Sequence, residues 1–133
     1  MCILRINIKE STMLILGIES SCDETGLALY SEEEGLIAHM VNSQVELFTE
    51  YGGVIPEIAA RDHSVKIINI LKTLLNRADK KLNDIDLVAY TAGPGLIGSL
   101  MVGETVAKTI SNVLDIELLP INHLEGHILA PGL

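Results

Sequence analysis

The succession of apolar and polar positions predicts that the chain begins with three strands. A continuous apolar run over 13–19 ends in an acid and is typical of a strand buried on both faces. Shorter apolar runs cover 26–30 and 36–43, and each follows a short polar segment. Because short polar connections join neighbouring antiparallel strands, this pattern favours an antiparallel meander.

Two helical segments and two further strands are expected after a loop over 44–56. Apolar residues recur at helical spacing from about 56 to 78, which predicts a long helix with a wide apolar stripe. The stripe consists of Ile67, Ile68, Leu71, Leu74, Leu75 and Ala78. The later elements are a buried strand, a helix and a fifth strand, expected over 85–92, 97–114 and 116–121. A last helix is expected to begin at Asn122, a good N-cap residue, so the order βββαβαβα predicts an α/β layer structure.

The composition predicts one domain with an aliphatic core. The chain has 133 residues, of which 48% are hydrophobic and only 3% aromatic. Its formal net charge is -9, whereas nucleic-acid binding usually rests on a surplus of Lys and Arg that neutralises phosphates. If RNA is a substrate, other segments or subunits are expected to hold most of it.

The sequence lacks the features of a membrane or disulfide-rich protein. No apolar run approaches the roughly 18 residues of a membrane span, and charges interrupt the first dozen residues, which excludes a signal-peptide core. Cys2 and Cys22 lack the paired spacing of a disulfide framework or a thiolate zinc site. A cytoplasmic protein without membrane association is expected. Residues 1–12 fit the pattern poorly and are either an upstream extension or a segment before an alternative start.

A glycine-rich segment lies between the fourth strand and the helix after it. Gly93, Gly95 and Gly98 match the spacing G-x-G-x-x-G in the strand–loop–helix context of a dinucleotide-binding fingerprint. Against that fingerprint, the match follows the fourth strand, and Asn122 stands where an acid would hold a ribose. A P-loop is excluded because no Lys separates Gly98 from Ser99. The glycines therefore serve either close helix–strand packing or a backbone N–H cradle for a phosphate or carboxylate.

Three acids cluster where the first strand meets the second. Glu19 ends the first strand, and Asp23 and Glu24 lie in the polar turn that follows. A strand-turn-strand tip of this kind can present Mg²⁺ ligands or a phosphate-facing loop. An ordinary polar hairpin turn has the same composition, so spacing alone leaves both interpretations open.

Two histidines near the end of the sequence are spaced to share a helix face. His123 and His127 are four residues apart, so both imidazoles could reach a single metal ion. Leu124 occupies the place of the catalytic glutamate of zinc peptidases, and Glu125 points away from the histidine face, so peptidase chemistry is not encoded. Two histidines without a metal remain the alternative. The other two histidines have no partner nearby in sequence and are predicted to be structural or solvated: His39 and His63.

Four segments together resemble the TsaD family of tRNA threonylcarbamoyladenosine synthases, once called glycoproteases. They are GIESSCDETGLALY (17–30), SQVELFTEYGGVIPEIAARDH (43–63), AYTAGPGLIGSLMVG (89–103) and NHLEGHILAP (122–131). The resemblance implies a ribonuclease H-like lobe of the actin/Hsp70/sugar-kinase fold over 13–133, with the second lobe absent.

The resemblance also implies a reaction and its site residues. Threonylcarbamoyl would pass from threonylcarbamoyl-AMP to N6 of the adenosine 3′ of the anticodon in tRNAs that read A-starting codons. By this likeness Asp23 and Glu24 are catalytic, and His123 and His127 bind Fe²⁺ or Zn²⁺ with an Asp that this chain lacks. A role for Gly93, Gly95 and Gly98 in cofactor binding, with ATP and Mg²⁺ as further ligands, is a weaker expectation.

The family resemblance implies two partners and leaves two hypotheses. The partners are a paralogous subunit (TsaB-like), which docks on the two helices, and a small ATPase (TsaE-like). Under the first hypothesis the chain is an N-terminal fragment of the transferase and inactive alone. Under the second it is a non-catalytic binding module that pairs with the paralogue.

Overall fold

The computed structural model describes residues 13–124 of the chain. That range contains a five-stranded sheet and three α-helices. The elements are β1 (Leu14–Glu19), β2 (Glu24–Ser31), β3 (Gly35–Ser43), α1 (Val45–Phe48), α2 (Pro56–Arg77), β4 (Leu87–Gly93), α3 (Ile97–Leu114) and β5 (Glu117–Asn122). Single turns of 3₁₀ helix follow α1 (Thr49–Tyr51) and precede β4 (Leu82–Asp84).

The strands form one mixed sheet in the order β3-β2-β1-β4-β5. The first three strands are antiparallel neighbours, and β4 and β5 pair parallel to β1 and to β4 respectively. This arrangement confirms the predicted meander and the predicted α/β class. Because β1, β4 and β5 run in the same direction, their carboxyl ends meet at one edge of the sheet.

The core lies between one face of the sheet and helices α2 and α3, and it is aliphatic as predicted. Side chains alternate along the strands with a period of two, so that Leu16, Leu29 and Val88 are fully buried toward the helices. Leu74 of α2 packs in the same cluster and is also fully buried. Burying a side chain of this size contributes about 1.5–3 kcal/mol, so these residues fix the helices on the sheet.

The predicted strands differ from the structure by one or two residues at their ends, and β2 begins at Glu24 instead of Gly26. The predicted loop over 44–56 contains α1, a helix too short to give a periodic signal. β4 begins at Leu87 and not at Ile85, because the Ile85 N–H donates to the Leu82 carbonyl at 3.2 Å and so closes the preceding turn. Ile68 is 44% exposed, so the apolar stripe of α2 is narrower than predicted. By contrast, α3 has the predicted bounds.

The segment after β5 is described only at its start. Residues 123 and 124 are helical, and the Leu124 N–H donates to Asn122 Oδ1 at 2.8 Å, the N-cap contact expected of Asn122. The rest of the predicted last helix, the predicted extension over 1–12 and His127 lie outside the described residues. Between 13 and 124 no helix is long and apolar enough to cross a membrane.

Candidate functional site

Polar side chains from three parallel strands meet at the carboxyl edge of the sheet. Glu19 ends β1, Thr91 lies near the end of β4, and His123 directly follows β5. His123 Nδ1 lies 3.1 Å from Glu19 Oε2, and the Thr91 hydroxyl donates to the same oxygen at 2.6 Å. The Ser21 N–H donates to Glu19 Oε1 at 2.6 Å, and Ser21 Oγ lies 3.1 Å from His123 Nδ1. The carboxylate of Glu19 is thus the centre of a hydrogen-bonded cluster.

The surroundings of Glu19 keep its carboxyl group ionised at neutral pH. Burial raises the pKa of Glu19, but hydrogen bonds from Ser21, Thr91 and His123 outweigh this effect and hold the pKa below its ordinary value of 4.5. An ionised carboxylate can only accept hydrogen bonds, so His123 donates its Nδ1–H to Glu19. In the neutral ring Nε2 is then the nitrogen that carries the acceptor lone pair.

The acidic turn between β1 and β2 lies at the same edge, and other elements bind its backbone. The Leu96 N–H donates to the Ser21 carbonyl at 2.8 Å, and the Gln44 N–H donates to the Asp23 carbonyl at 2.8 Å. Asp23 is half-buried, whereas Glu24 is exposed. Asp23 therefore stands on a turn whose backbone is bound by other elements on both sides, and Glu24 follows it as the first residue of β2.

His63 of α2 contacts the same turn from the helix-covered face of the sheet, and it is fully buried. Its Nε2 lies 2.8 Å from the Cys22 carbonyl oxygen, and its Nδ1 lies 2.6 Å from Thr25 Oγ1. Of the two predictions for His63, structural or solvated, the structure supports the structural one. His39 is exposed.

Ser20 connects the turn to α3. Its hydroxyl donates to the Ser99 carbonyl at 2.8 Å and accepts the Gly103 N–H at 3.1 Å. A Cβ atom at Gly103 would lie only 2.5 Å from Ser20 Oγ. This close approach requires glycine at position 103, although alanine is the better helix former at an ordinary helix position.

The glycine-rich segment packs against the same turn. A Cβ at Gly95 would lie 2.6 Å from the Ser21 carbonyl oxygen, and one at Gly98 would lie 3.3 Å from Ala60 Cβ on α2. These distances give Gly95 and Gly98 a packing role, one of the two roles the sequence left open. Their use in cofactor binding, with Gly93, stays a prediction.

A cleft of about 420 Å³ lies on the sheet face opposite to the helices, beneath the cluster. Glu19, Glu24, His39 and His123 are among its polar lining residues, and Tyr90 also lines it. Successive residues of a strand point to opposite faces, so Glu24 lies on the cleft side of β2 while its neighbour Thr25 is buried toward the helices. The cleft thus offers an ionised carboxylate, a further acid and two imidazoles to a bound molecule.

The structure brings most of the sequence-predicted residues to this edge. Asp23, Glu24 and His123 all lie at the edge of the sheet where β1, β4 and β5 end. Among residues 13–124 no three His, Cys, Asp or Glu side chains are grouped so as to hold a metal ion. The contact of Glu19 with His123 was missed, as was Thr91. The polar residues at the ends of parallel strands were a signal that could have found both.

Comparisons with known proteins extend these observations. A family model described as TsaD, tRNA N6-adenosine threonylcarbamoyltransferase, matches residues 35–133. A curated relative from Chromobacterium violaceum with the same description is 54% identical over 119 residues. The alignment covers 90% of this chain and 35% of the relative, so the chain spans about a third of the relative's length.

Solved structures share the fold at low sequence identity. YeaZ from Pseudomonas aeruginosa has a TM-score of 0.64 at 18% identity, covering 83% of this chain and 43% of its own. An uncharacterised protein similar to peptidase YeaZ, also from Pseudomonas aeruginosa, has a TM-score of 0.62 at 21% identity with the same coverage. RuvC of T. thermophilus, solved with a Holliday junction substrate, has a TM-score of 0.50 at 13% identity, covering 89% and 70%. Together with the sheet order, these likenesses confirm the predicted ribonuclease H-like fold.

Proposed function

The chain belongs to the TsaD family of tRNA N6-adenosine threonylcarbamoyltransferases, and we propose that it forms the first lobe of such an enzyme. In this proposal the lobe contributes one side of a reaction cleft in which threonylcarbamoyl passes from threonylcarbamoyl-AMP to N6 of an adenosine in tRNA. The observation that carries the proposal is the meeting of the acidic turn, Glu19 and His123 at one edge of the sheet, above an open cleft.

We propose that Asp23 and Glu24 act on the attacking amine. The exocyclic amine of adenosine is a weak nucleophile, and a carboxylate within hydrogen-bond reach can take its proton as the new bond to the carbamoyl carbon forms. The bond from that carbon to the phosphate oxygen breaks, and AMP leaves. Glu24 lines the cleft, and Asp23 precedes it on a turn bound by neighbouring elements. Of the two acids, Glu24 is the one that lines the cleft, and Asp23 directly precedes it.

We propose His123 and His127 as metal ligands, with a carboxylate from outside these 133 residues as the third. The surroundings of His123 fit that role, because histidines that bind metals commonly donate their second ring N–H to a carboxylate, as His123 does to Glu19. When bound, Fe²⁺ or Zn²⁺ would supply a Lewis acid that polarises the threonylcarbamoyl group. In this proposal the contact with Glu19 would keep the imidazole in place for metal binding.

The charge of the chain bears on how tRNA would be held. A net charge of -9 repels a polyanion, since tight binding of nucleic acids depends on Lys and Arg contacts to phosphates. We therefore propose that other parts of the enzyme carry most of the tRNA-binding surface. The first lobe would receive only the target nucleotide.

The outer face of α2 and α3 is proposed as the docking surface for a paralogous subunit. Two apolar grooves of about 400 and 290 Å³ run between these helices. Two exposed apolar side chains line the smaller groove, Ile68 and Met101. Exposed apolar patches of this kind commonly mark protein interfaces. A partner with a similar helix pair could bury them by packing its ridges into these grooves.

A chimera tests the proposed function. Residues 13–133 would replace the matching part of the Chromobacterium violaceum relative, to which the chain is 54% identical over 119 residues. We expect the chimera to transfer labelled threonylcarbamoyl from threonylcarbamoyl-AMP to unmodified tRNA in the presence of the partner proteins. The 133-residue chain by itself is expected to transfer none. A folded chimera that binds its partner but transfers nothing would favour the binding-module alternative.

The docking surface is tested by a pair of charge substitutions on α3. Met101→Glu places a charge in the groove, where the side chain is 58% exposed, and it is expected to weaken binding of the paralogous subunit at least about tenfold. Val113→Glu is the matched control, because Val113 is 73% exposed and lies outside the grooves. Calorimetric titration of the chain with the paralogous subunit gives both affinities. Equal affinities for the two variants would place the interface elsewhere.

A further inference from the structure

We propose that His63 is a positioning residue, which fixes the acidic turn so that Glu24 faces the cleft. His63 contacts no atom that would react, and it acts through the backbone of the turn and through Thr25. The catalytic use of Asp23 and Glu24 rests on the proposed function. The contacts by which His63 fixes the turn do not depend on the proposed function, and they can be tested without any transfer reaction.

The hydrogen-bond partners of His63 determine where its proton lies. A backbone carbonyl can only accept, so the contact of 2.8 Å to the Cys22 carbonyl requires a proton on Nε2. In the neutral ring Nδ1 then accepts from the Thr25 hydroxyl, 2.6 Å away. Both His63 and Thr25 are fully buried, so water does not compete for the bond between them. The ring is thus held at both nitrogens, by Cys22 of the turn and by Thr25 of β2.

The bond to Thr25 fixes the orientation of the neighbouring acid. Thr25 points toward the helices, so Glu24 must point to the opposite face of the sheet, where it lines the cleft together with His123. A shift of one residue in this strand would exchange the two faces and direct Glu24 into the core. His63 therefore selects the register that presents Glu24 to the cleft.

The other side of the turn is attached to the same part of α2. The Gln44 N–H donates to the Asp23 carbonyl at 2.8 Å. The side-chain amide of Gln44 donates to the Ala59 carbonyl at 3.1 Å and to Asp62 Oδ2 at 2.9 Å. Residues 59–63 form little more than one helical turn, so a single rigid segment holds two successive carbonyls of the acidic turn.

Two substitutions of His63 separate positioning from simple filling of the core. Gln can place an amide N–H where His63 Nε2 lies and so can keep the bond to Cys22, whereas Asn reaches only the Nδ1 position. Amide hydrogen exchange of Gln44 and Leu96, whose N–H groups donate to the turn, measures how often the turn opens. We expect about tenfold faster exchange of both amides in His63→Asn and a change of no more than about twofold in His63→Gln.

The amides of the interior strand β4 serve as the reference, and their exchange is expected to change little. Equal acceleration at β4 and at the turn would mean that His63 only stabilises the fold, and it would overturn the proposal. Equal exchange rates of the Gln44 and Leu96 amides in the two His63 variants would overturn the proposal as well. If neither variant folds, the nitrogen NMR chemical shifts of the His63 ring in the unmodified chain show which nitrogen carries the proton. A ring protonated at Nδ1 alone would exclude the bond to Cys22 and contradict the proposal.

Discussion

Replacement of Asp23 or Glu24 by its amide is expected to slow threonylcarbamoyl transfer by about 10²–10⁴-fold, the usual contribution of a general base. The chimera described above is the enzyme in which to measure this. Asp23→Asn and Glu24→Gln keep the size of each side chain and remove its negative charge and its ability to take a proton. The variant with the larger loss identifies the carboxylate that acts on the amine.

The control for this pair is Glu33→Gln. Glu33 is an exposed acid in the turn between β2 and β3, so its replacement removes the same charge at a place remote from the cleft. We expect its rate to match that of the parent chimera. Single-turnover rates with labelled threonylcarbamoyl-AMP are measured for all three variants, and thermal unfolding verifies that each is folded. Equal rates for the three would remove Asp23 and Glu24 from the mechanism.

Local periodicity was enough to predict most of the fold. The apolar run over β1 and the helical spacing over α2 come from side chains that must face one core, so residues close together in sequence carry these signals. The short helix α1 has too few residues for a period, and it was expected to be a loop. Ile68 illustrates a second limit: an apolar residue at the edge of a helical stripe can be half-exposed when it borders a groove between two helices.

The contacts that build the site join residues far apart in sequence. Glu19 and His123 are separated by 104 positions, and Thr25 and His63 by 38. Whether such residues meet depends on the strand order and on the register of the sheet, which a single sequence does not specify. The resemblance to a family supplied the roles expected of Asp23 and His123. It did not identify the residues that hold them.

The glycine-rich segment shows why a motif can leave its role open. A phosphate cradle and a close packing contact need the same residue, because both require the absence of Cβ. Only the neighbouring atoms distinguish them, and at Gly95 the neighbour is the backbone of Ser21. The motif therefore predicted a close approach correctly without predicting what approaches.

Removal of the Glu19 carboxylate is expected to weaken metal binding by about 10–100-fold, the usual effect of losing a residue that orients a metal ligand. Glu19→Gln keeps an oxygen that can accept the Nδ1–H of His123, so the affinity for the metal should fall by an amount near the lower limit of this range. Glu19→Ala removes the acceptor, so the decrease in affinity should be near the upper limit. The chimera is the right protein for this measurement, because the proposed third ligand lies outside these 133 residues.

Competition with a chelator gives the affinity of each variant for Zn²⁺ without any transfer assay, and thermal unfolding separates lost binding from lost folding. Glu33→Gln, which removes one negative charge far from His123, is expected to keep the parent affinity.

Thr91→Val tests the next contact outward, because it removes the hydroxyl that donates to Glu19 Oε2 at 2.6 Å and leaves the charge in place. Its affinity should lie between those of the parent and Glu19→Gln. If Glu19→Ala binds Zn²⁺ as tightly as the parent, the contact between Glu19 and His123 does not serve a metal site.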